Sequence, residues 1–282
     1  MTTMATATTV TEAARDGTPI LTRRWAADGP AWASILLVHG IAEHSGRYEH
    51  VGRQLAAAGL EVHAYDQRGF GASGGRRAYV ERWAETHDDL EDRLRAVRAE
   101  AGGRPVAVFG HSLGGLIALG YALAEPPRPM PDALVLSAPA LDSTVPGWKQ
   151  VLARVLATVA PTMTLANAFD GSLLSRDPSV GEAYLADPLN THVTTMRFGA
   201  EALAEQARVR AALARLSVPT LVHHGEADAL VPPASSEPLA AVPGVTRRTW
   251  PDLRHESHNE PEGLAVIAGV IEWLRSSLAG HT

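Results

Sequence analysis

The sequence has 282 residues, of which 45% are hydrophobic and 20% charged, and its formal net charge at pH 7 is −6. This length is sufficient for one or two domains with a sizeable core, and a mildly acidic chain without a basic run argues against a nucleic-acid-binding protein. Because the sequence contains no cysteine, disulfide scaffolds, thiolate zinc sites and cysteine nucleophiles are excluded. No apolar run reaches the ~18 residues of a membrane span, and the Thr- and Ala-rich start does not resemble a signal peptide. We therefore expect a soluble, cytoplasmic protein.

Short apolar runs alternate with helical patterns along most of the chain. Residues 34–38 (SILLV) form a continuous apolar run that is typical of a strand buried on both faces. Further strands are predicted at residues 60–65, 105–109, 133–137, 220–224 and 245–250. Residues 19–25, which no helix follows, predict an antiparallel edge strand. Strands separated by helices of this length predict an α/β fold, with a mostly parallel central sheet flanked by helices.

The alternation is interrupted between about Leu141 and Leu216, where helix-like pieces occur without a convincing strand. A helical insertion between two strands of such a sheet is expected over its carboxyl edge, where open α/β sheets bind ligands. The sequence therefore predicts a core made of residues 1–141 and 215–282, with a helical cap at residues 142–214. One apolar helix face in this cap is formed by Val151, Leu152, Val155, Leu156 and Val159. Such a face usually packs on a core, although in a cap it can also contact a membrane.

The strongest local signal is Gly110-His111-Ser112-Leu113-Gly114, which lies between a predicted strand and an apolar helical pattern. A serine in such a G-x-S-x-G turn lies on a strained backbone that exposes its hydroxyl above the sheet. The glycines are needed because a Cβ would collide with neighbouring backbone in so tight a turn. A helix-capping role for the serine is the simpler alternative. The strand before it and the helix after it favour Ser112 as a nucleophile.

A serine nucleophile needs a histidine base and an acid that orients the histidine. In this type of fold they follow in the order serine, acid, histidine, each in a loop beyond a later strand. One such loop offers Glu226 and Asp228, and the next offers His255 and His258. If a helix begins in the second loop, the two histidines are three residues apart and both can face the site.

Two backbone N–H groups are required to stabilise the oxyanion that forms during attack on a carbonyl. Leu113 is expected to supply one of them at a helix N-terminus, and Ile41, in the turn after residues 34–38, is expected to supply the other. His39, in the same turn, is expected to orient this loop.

Other patterns favour simpler interpretations. Gly69-Phe70-Gly71-Ala72-Ser73-Gly74 matches a dinucleotide fingerprint, but no apolar helix follows it, so a loop is expected. His223 and His224 are predicted on opposite faces of a strand, as core or interface residues, because such neighbours do not easily bind one metal. No zinc-protease motif or comparable ligand set occurs in the sequence. Neither a metal nor an organic cofactor is expected.

Six segments of the chain carry recognisable motifs. They are HGIAEHSGRY at residues 39–48, DQRGFGASGG at 66–75, GHSLGG at 110–115, HGEADALVP at 224–232, HESHNEP at 255–261 and LSRDPSVGEAYLADPL at 174–189. Together they resemble the monoacylglycerol lipase family of α/β-hydrolases, over nearly the whole chain from about residue 15. The resemblance implies the α/β-hydrolase fold and the cleavage of a monoacylglycerol to a fatty acid and glycerol.

The resemblance also implies roles for individual residues. It makes Ser112 the nucleophile, Asp228 the orienting acid and His255 the base, with an oxyanion hole formed by the N–H groups of Ile41 and Leu113. A general carboxylesterase or lysophospholipase would share this triad and remains an alternative. A non-catalytic binding protein on the same fold is a further alternative, since fold does not fix function.

The polar end of the substrate is expected near three further residues. The resemblance places Glu43, Arg47 and His258 in the pocket that holds the glycerol end, although Glu43 and Arg47 could also form a simple surface pair. It makes the first cap helix a mobile, hydrophobic lid that guides lipid into the site. The expected partners are therefore a lipid or ester substrate and, transiently, a membrane surface.

Overall fold

The structure is a computed structural model that describes residues 7–143, 145–167 and 170–281. The strands are β1 Thr8–Ala13, β2 Pro19–Trp25, β3 Ala33–Val38, β4 Leu60–Tyr65, β5 Val106–His111, β6 Ala133–Ser137, β7 Thr164–Ala166, β8 Val193–Thr195, β9 Thr220–Gly225 and β10 Val245–Trp250. The helices are α1 Glu49–Ala57, α2 Ala84–Ala101, α3 Leu113–Ala122, α4 Gly147–Val159, α5 Pro178–Ala186, α6 Met196–Ala212 and α7 Gly263–Leu278. Short 3-10 helices connect several of these elements.

Eight strands form the central sheet, in the order β1-β2-β4-β3-β5-β6-β9-β10. β2 pairs antiparallel with β1 and with β4, and the other neighbours are parallel. The predicted mostly parallel sheet flanked by helices is thus confirmed. The predicted edge position of residues 19–25 is wrong, because β1 pairs outside them. All six residues of β1 are exposed, so its position depends on backbone pairing and leaves no burial pattern in the sequence.

The central strands are buried on both faces, as their continuous apolar runs predict. Every residue of β3, β4, β5, β6 and β9 is buried. Because successive side chains of a strand point to opposite faces, Leu36 and Val38 pack in a core with α2 and α3, whereas Ile35 and Leu37 pack with α1 and α7. The two cores hold the sheet rigidly and fix the loops at its carboxyl edge.

Between β6 and β9 the chain forms α4, α5 and α6 together with the antiparallel pair of β7 and β8. The expectation that this segment lacks strands is wrong, because strands of three residues are too short to show an alternating pattern. The segment contacts the sheet edge: Thr191 N–H donates to the Ala42 carbonyl at 3.1 Å, and Glu256 N–H donates to the Leu174 carbonyl at 2.8 Å. These contacts are consistent with the predicted cap at residues 142–214.

The apolar face of α4 is exposed. Relative exposure is 67% for Trp148, 59% for Val151, 55% for Val155 and 72% for Val159, whereas Leu156 is partly buried against a small cluster of Ala157, Met196 and Ala200. The expectation that this face packs on the core is therefore wrong, because most of its apolar side chains are exposed. No helix in the described ranges is long and apolar enough to cross a membrane.

Candidate active site

Ser112 lies in a strained turn between β5 and α3. Its φ of 51° and ψ of −114° are unusual for a residue other than glycine, and strain of this kind costs about 1–3 kcal/mol. Two backbone hydrogen bonds hold the turn: Ser112 N–H donates to the Ser137 carbonyl at 2.9 Å, and Ala140 N–H donates to the Ser112 carbonyl at 3.0 Å. The neighbouring strand and loop therefore over-determine the position of the serine, as the G-x-S-x-G pattern predicts.

The two glycines of this turn allow close approach of backbone to backbone. A Cβ at Gly110 would collide with the Gly114 carbonyl, and a Cβ at Gly114 would collide with the carbonyl of Val38. Neither collision can be relieved by moving a flexible side chain, since both involve backbone atoms. The turn that presents Ser112 thus requires glycine at both positions.

Asp228 is a buried carboxylate with four hydrogen bonds. Its Oδ1 accepts from the N–H groups of Leu230 and Val231, both at 2.9 Å. Its Oδ2 lies 2.7 Å from Nδ1 of His255 and 3.1 Å from Nε2 of His224. Burial disfavours the charged carboxylate, but the hydrogen bonds from His224 and His255 outweigh burial and hold the pKa of Asp228 well below its usual range.

His255 is buried, and its ring lies 4.8 Å from the ring of His111, the residue before Ser112. Burial opposes its protonation, but the hydrogen bond and charge of Asp228, with the charges of Glu256 and Glu43, raise the pKa of His255 above its usual value. Because its Nδ1 faces a carboxylate oxygen, Nδ1 carries a proton and Nε2 is free to accept one. An imidazole in this tautomer can act as a general base.

The two alternatives for acid and base lie elsewhere. Glu226 is exposed, and its Oε1 accepts from the hydroxyl of Thr249 at 2.6 Å. His258 belongs to the 3-10 helix Ser257–Asn259, which begins after His255. Its ring stacks on Tyr48, with centroids 5.1 Å apart. The structure therefore pairs Asp228 with His255 and does not bring Glu226 or His258 into that pair.

A cavity of about 240 Å³ lies over the turn that contains Ser112. Ser112 and His255 both line it. The other lining residues are Gly40, Ile41, Glu43, Arg47, His111, Ala140, Leu174, Tyr184, Ala229, Leu230, Val231 and Glu256. Part of its wall consists of apolar side chains from the segment between β6 and β9 and from the loop after β9. The other part carries the charged side chains of Glu43, Arg47 and Glu256. His258 is not among the described residues that line this cavity; its ring stacks on Tyr48 instead.

The charged wall is a buried cluster centred on Arg47. Its guanidinium contacts Glu43 Oε2 at 2.5 Å and both carboxylate oxygens of Glu256 at 2.6 and 2.7 Å. The other oxygen of Glu43 accepts from Gly40 N–H at 2.6 Å and from the Tyr48 hydroxyl at 2.8 Å. Burial disfavours the charged carboxylate, but Arg47 outweighs it and lowers the pKa of Glu43. The alternative of a surface pair is therefore wrong: the pair is buried, and Glu43 holds the turn after β3 at Gly40.

The two expected oxyanion donors are available. Within the described residues, the N–H groups of Ile41 and Leu113 have no hydrogen-bond acceptor, and Leu113 is the first residue of α3. His39 orients the loop that contains Ile41: its Nε2 accepts from Gln67 N–H at 2.9 Å, and its Nδ1 donates to the Gly40 carbonyl at 2.7 Å.

A family model described as serine aminopeptidase, S33, matches residues 29–262. The chain is 38% identical to a monoacylglycerol lipase of Mycolicibacterium smegmatis over 263 residues, which cover 90% of this chain and 92% of that protein. It belongs to the monoacylglycerol lipase family. The human monoglyceride lipase is 35% identical over 76% of this chain and 71% of its own length. The structure of a Paleococcus ferrophilus monoacylglycerol lipase has a TM-score of 0.80 and 30% identity, over 93% of this chain and 99% of that one.

Family membership makes the chain a carboxylic ester hydrolase with the α/β-hydrolase fold. Across the part of the chain that the structure describes, no three His, Asp or Glu side chains are grouped to hold a metal ion. The glycine-rich segment at residues 69–74 is a loop, followed by no helix until α2, as expected.

Sequence reasoning missed several contacts of this site, among them a contact of His224 with Asp228. His224 was expected only as a core or interface residue, yet its ring contacts the Asp228 carboxylate. The position of a histidine four residues before the acid was the available signal. His223, its neighbour, points to the other face and contacts Ser257 at 3.2 Å, as the alternation of a strand requires.

Proposed function

We propose that the chain hydrolyses monoacylglycerols to a fatty acid and glycerol, with Ser112 as nucleophile, His255 as base and Asp228 as the acid that orients it. The observation that carries the proposal is the common cavity of Ser112 and His255, with His255 held by Asp228 at 2.7 Å. The relatives named monoacylglycerol or monoglyceride lipase support the substrate class.

The reaction proceeds in two similar steps. His255 takes the proton of the Ser112 hydroxyl as the oxygen attacks the ester carbonyl, and Asp228 stabilises the imidazolium that forms. The C–O bond to glycerol then breaks, and His255 returns the proton to the departing glycerol oxygen. Water repeats the sequence on the acyl-enzyme, with His255 again as base, and releases the fatty acid.

The oxyanion of each tetrahedral intermediate accepts hydrogen bonds from the Ile41 and Leu113 N–H groups. Within the described residues neither N–H has an acceptor, so the charge that develops on the carbonyl oxygen meets donors already in place. Loss of one such donor typically costs ~10²–10³ in kcat. Glu43, which binds Gly40 N–H, keeps the donor loop in position.

The polar and apolar walls fit the two ends of a monoacylglycerol. The hydroxyls of glycerol can donate to Glu43 or Glu256 and accept from Arg47, all of which line the cavity. The acyl chain lies on the apolar side, beside Leu174, Leu230 and other aliphatic side chains. His258 supports this arrangement indirectly, since it stacks on Tyr48, a hydrogen-bond partner of Glu43. Its position does not support the predicted direct contact with glycerol.

The substrate class is tested by comparing a medium-chain monoacylglycerol with the methyl ester of the same acid. We expect kcat/KM to favour the glyceride by about tenfold or more, because the methyl ester cannot use hydrogen bonds that are worth ~1 kcal/mol each. Fatty-acid release at matched concentrations measures the ratio, with Ser112→Ala as the background. Equal or reversed rates would assign the chain to the general carboxylesterases.

We further propose that residues 142–214 form a cap whose α4 face docks transiently on a lipid surface. Val151 and Val155 are each more than half exposed on one side of α4. Replacing both with serine is expected to lower binding to phosphatidylcholine vesicles about a hundredfold, since each buried valine contributes roughly 1.5 kcal/mol or more and ~1.4 kcal/mol is a factor of ten. Vesicle sedimentation measures the binding. Leu264→Ser, at a 72% exposed leucine on α7, is the matched control. Equal binding by all three proteins would exclude docking through α4.

A further inference from the structure

His224 lies on β9 with its ring buried between the acid and a serine. Its relative exposure is 0%. Nε2 lies 3.1 Å from Asp228 Oδ2 and 2.9 Å from the carbonyl oxygen of Val231. Nδ1 lies 3.1 Å from the hydroxyl oxygen of Ser236. The ring therefore connects the carboxylate of the proposed triad with the hydroxyl of Ser236 and the carbonyl of Val231.

The partners of this ring determine where its proton lies. Both neighbours of Nε2 are hydrogen-bond acceptors, so Nε2 carries a proton. The oxygen of Ser236 accepts from Arg247 Nε at 3.0 Å, which leaves the Ser236 hydroxyl proton for His224 Nδ1 or for the Pro233 carbonyl at 3.0 Å. A hydroxyl that donates to Nδ1 polarises the ring and strengthens the donation from Nε2 to Asp228.

We propose that His224 is a positioning residue for the catalytic acid. His224 shares Asp228 Oδ2 with His255, and it thereby fixes the orientation of the carboxylate and limits how far the carboxylate increases the basicity of His255. The inference rests on the proposed triad. Without His224, Oδ2 would have His255 as its remaining side-chain donor, and the carboxylate could rotate about its Cβ–Cγ bond. The N–H groups of Leu230 and Val231 would then hold only the other carboxylate oxygen, Oδ1.

The same contact influences the basicity of His255. Burial raises the pKa of Asp228, and the hydrogen bond from His224 is the largest of the effects that lower it. Loss of that bond leaves more negative charge on Oδ2 for His255, which raises the pKa of His255 further. The other groups that act on His255 are unchanged by the substitution; they are the carboxylates of Glu256 and Glu43 and the ring of His111.

Two amide variants separate the two contacts of the ring. In His224→Gln the side-chain NH2 can reach the position of Nε2 and donate to Asp228, whereas in His224→Asn the shorter amide reaches only the position of Nδ1 and Ser236. His223→Asn is the matched control, because His223 is an equally buried histidine on β9 that contacts Ser257 instead of Asp228. Melting temperatures establish that each variant is folded.

The readout is the pH dependence of kcat and kcat/KM for a soluble ester. Activity requires neutral His255, so it falls as the pH falls through the pKa of this residue, and a higher pKa moves the acid limb to higher pH. For His224→Asn we expect kcat to fall about tenfold, the effect of one hydrogen bond to a charged group, with KM within about twofold. We expect its acid limb to move up by about half a pH unit. His224→Gln and His223→Asn should both retain the wild-type limb.

Three results would overturn the inference: an unmoved limb in His224→Asn, the same shift in His224→Gln, or the same shift in His223→Asn. If His224→Asn does not fold, Ser236→Ala tests the same chain of contacts. It should move the limb in the same direction by a smaller amount, and an unmoved limb would count against the proposal. Failure of the triad itself is recognised separately, since Ser112→Ala would then retain turnover and a fluorophosphonate would not label Ser112.

Discussion

Ser112→Ala is expected to lower monoacylglycerol hydrolysis by about 10⁴-fold or more, because removal of the nucleophile leaves only binding and oxyanion stabilisation. Fatty-acid release under saturating substrate measures the loss. Ser34→Ala is the matched control: Ser34 is equally buried on β3, and its hydroxyl has no hydrogen-bond partner within the described residues. This control should keep wild-type turnover.

The variant should remain folded. Removal of one hydroxyl from a residue that is 6% exposed leaves the backbone bonds of the turn intact, so circular dichroism and the melting temperature should change little. A folded Ser112→Ala protein that retains more than a few per cent of the activity would contradict the assignment of the nucleophile.

Asp228→Asn is expected to lower kcat by about 10⁴-fold, because an amide that donates to His255 Nδ1 favours the wrong imidazole tautomer. Glu226→Gln, only two residues away, should change kcat less than twofold, since its carboxylate is exposed and binds Thr249. Steady-state kinetics on one ester substrate compares the two variants directly.

The two variants decide between the acids that the sequence offers. A large loss in Glu226→Gln with little loss in Asp228→Asn would reverse the assignment. Equal and moderate losses in both would indicate that the loop as a whole, and no single carboxylate, supports His255.

The central strands and the helices between them could be predicted because burial on both faces leaves continuous apolar runs. The outer elements could not. β1 is exposed at every position, and β7 is three exposed residues long, so their pairing depends on backbone hydrogen bonds that any side chain permits. The exposure of the apolar face of α4 could not be predicted either, because a helical pattern reveals an apolar face but not what that face contacts.

The site, too, could be predicted only in part. Ser112 and the loops with Asp228 and His255 could be predicted, because local turn chemistry and strand order bring them to one edge of the sheet. The bond between Arg47 and Glu256 joins residues 209 positions apart, and the stacking of His258 on Tyr48 depends on where α1 packs. Such contacts arise from tertiary packing and leave no local pattern in the sequence.

The most direct test of the account is the rate at which a fluorophosphonate labels the protein, with the labelled peptide identified by mass spectrometry. We predict a single adduct on Ser112, slowed by a monoacylglycerol more strongly than by the methyl ester of the same acid at equal concentration. An adduct on another residue, or no reaction, would contradict the proposed nucleophile. Equal protection by the two esters would retain the nucleophile and contradict the proposed substrate.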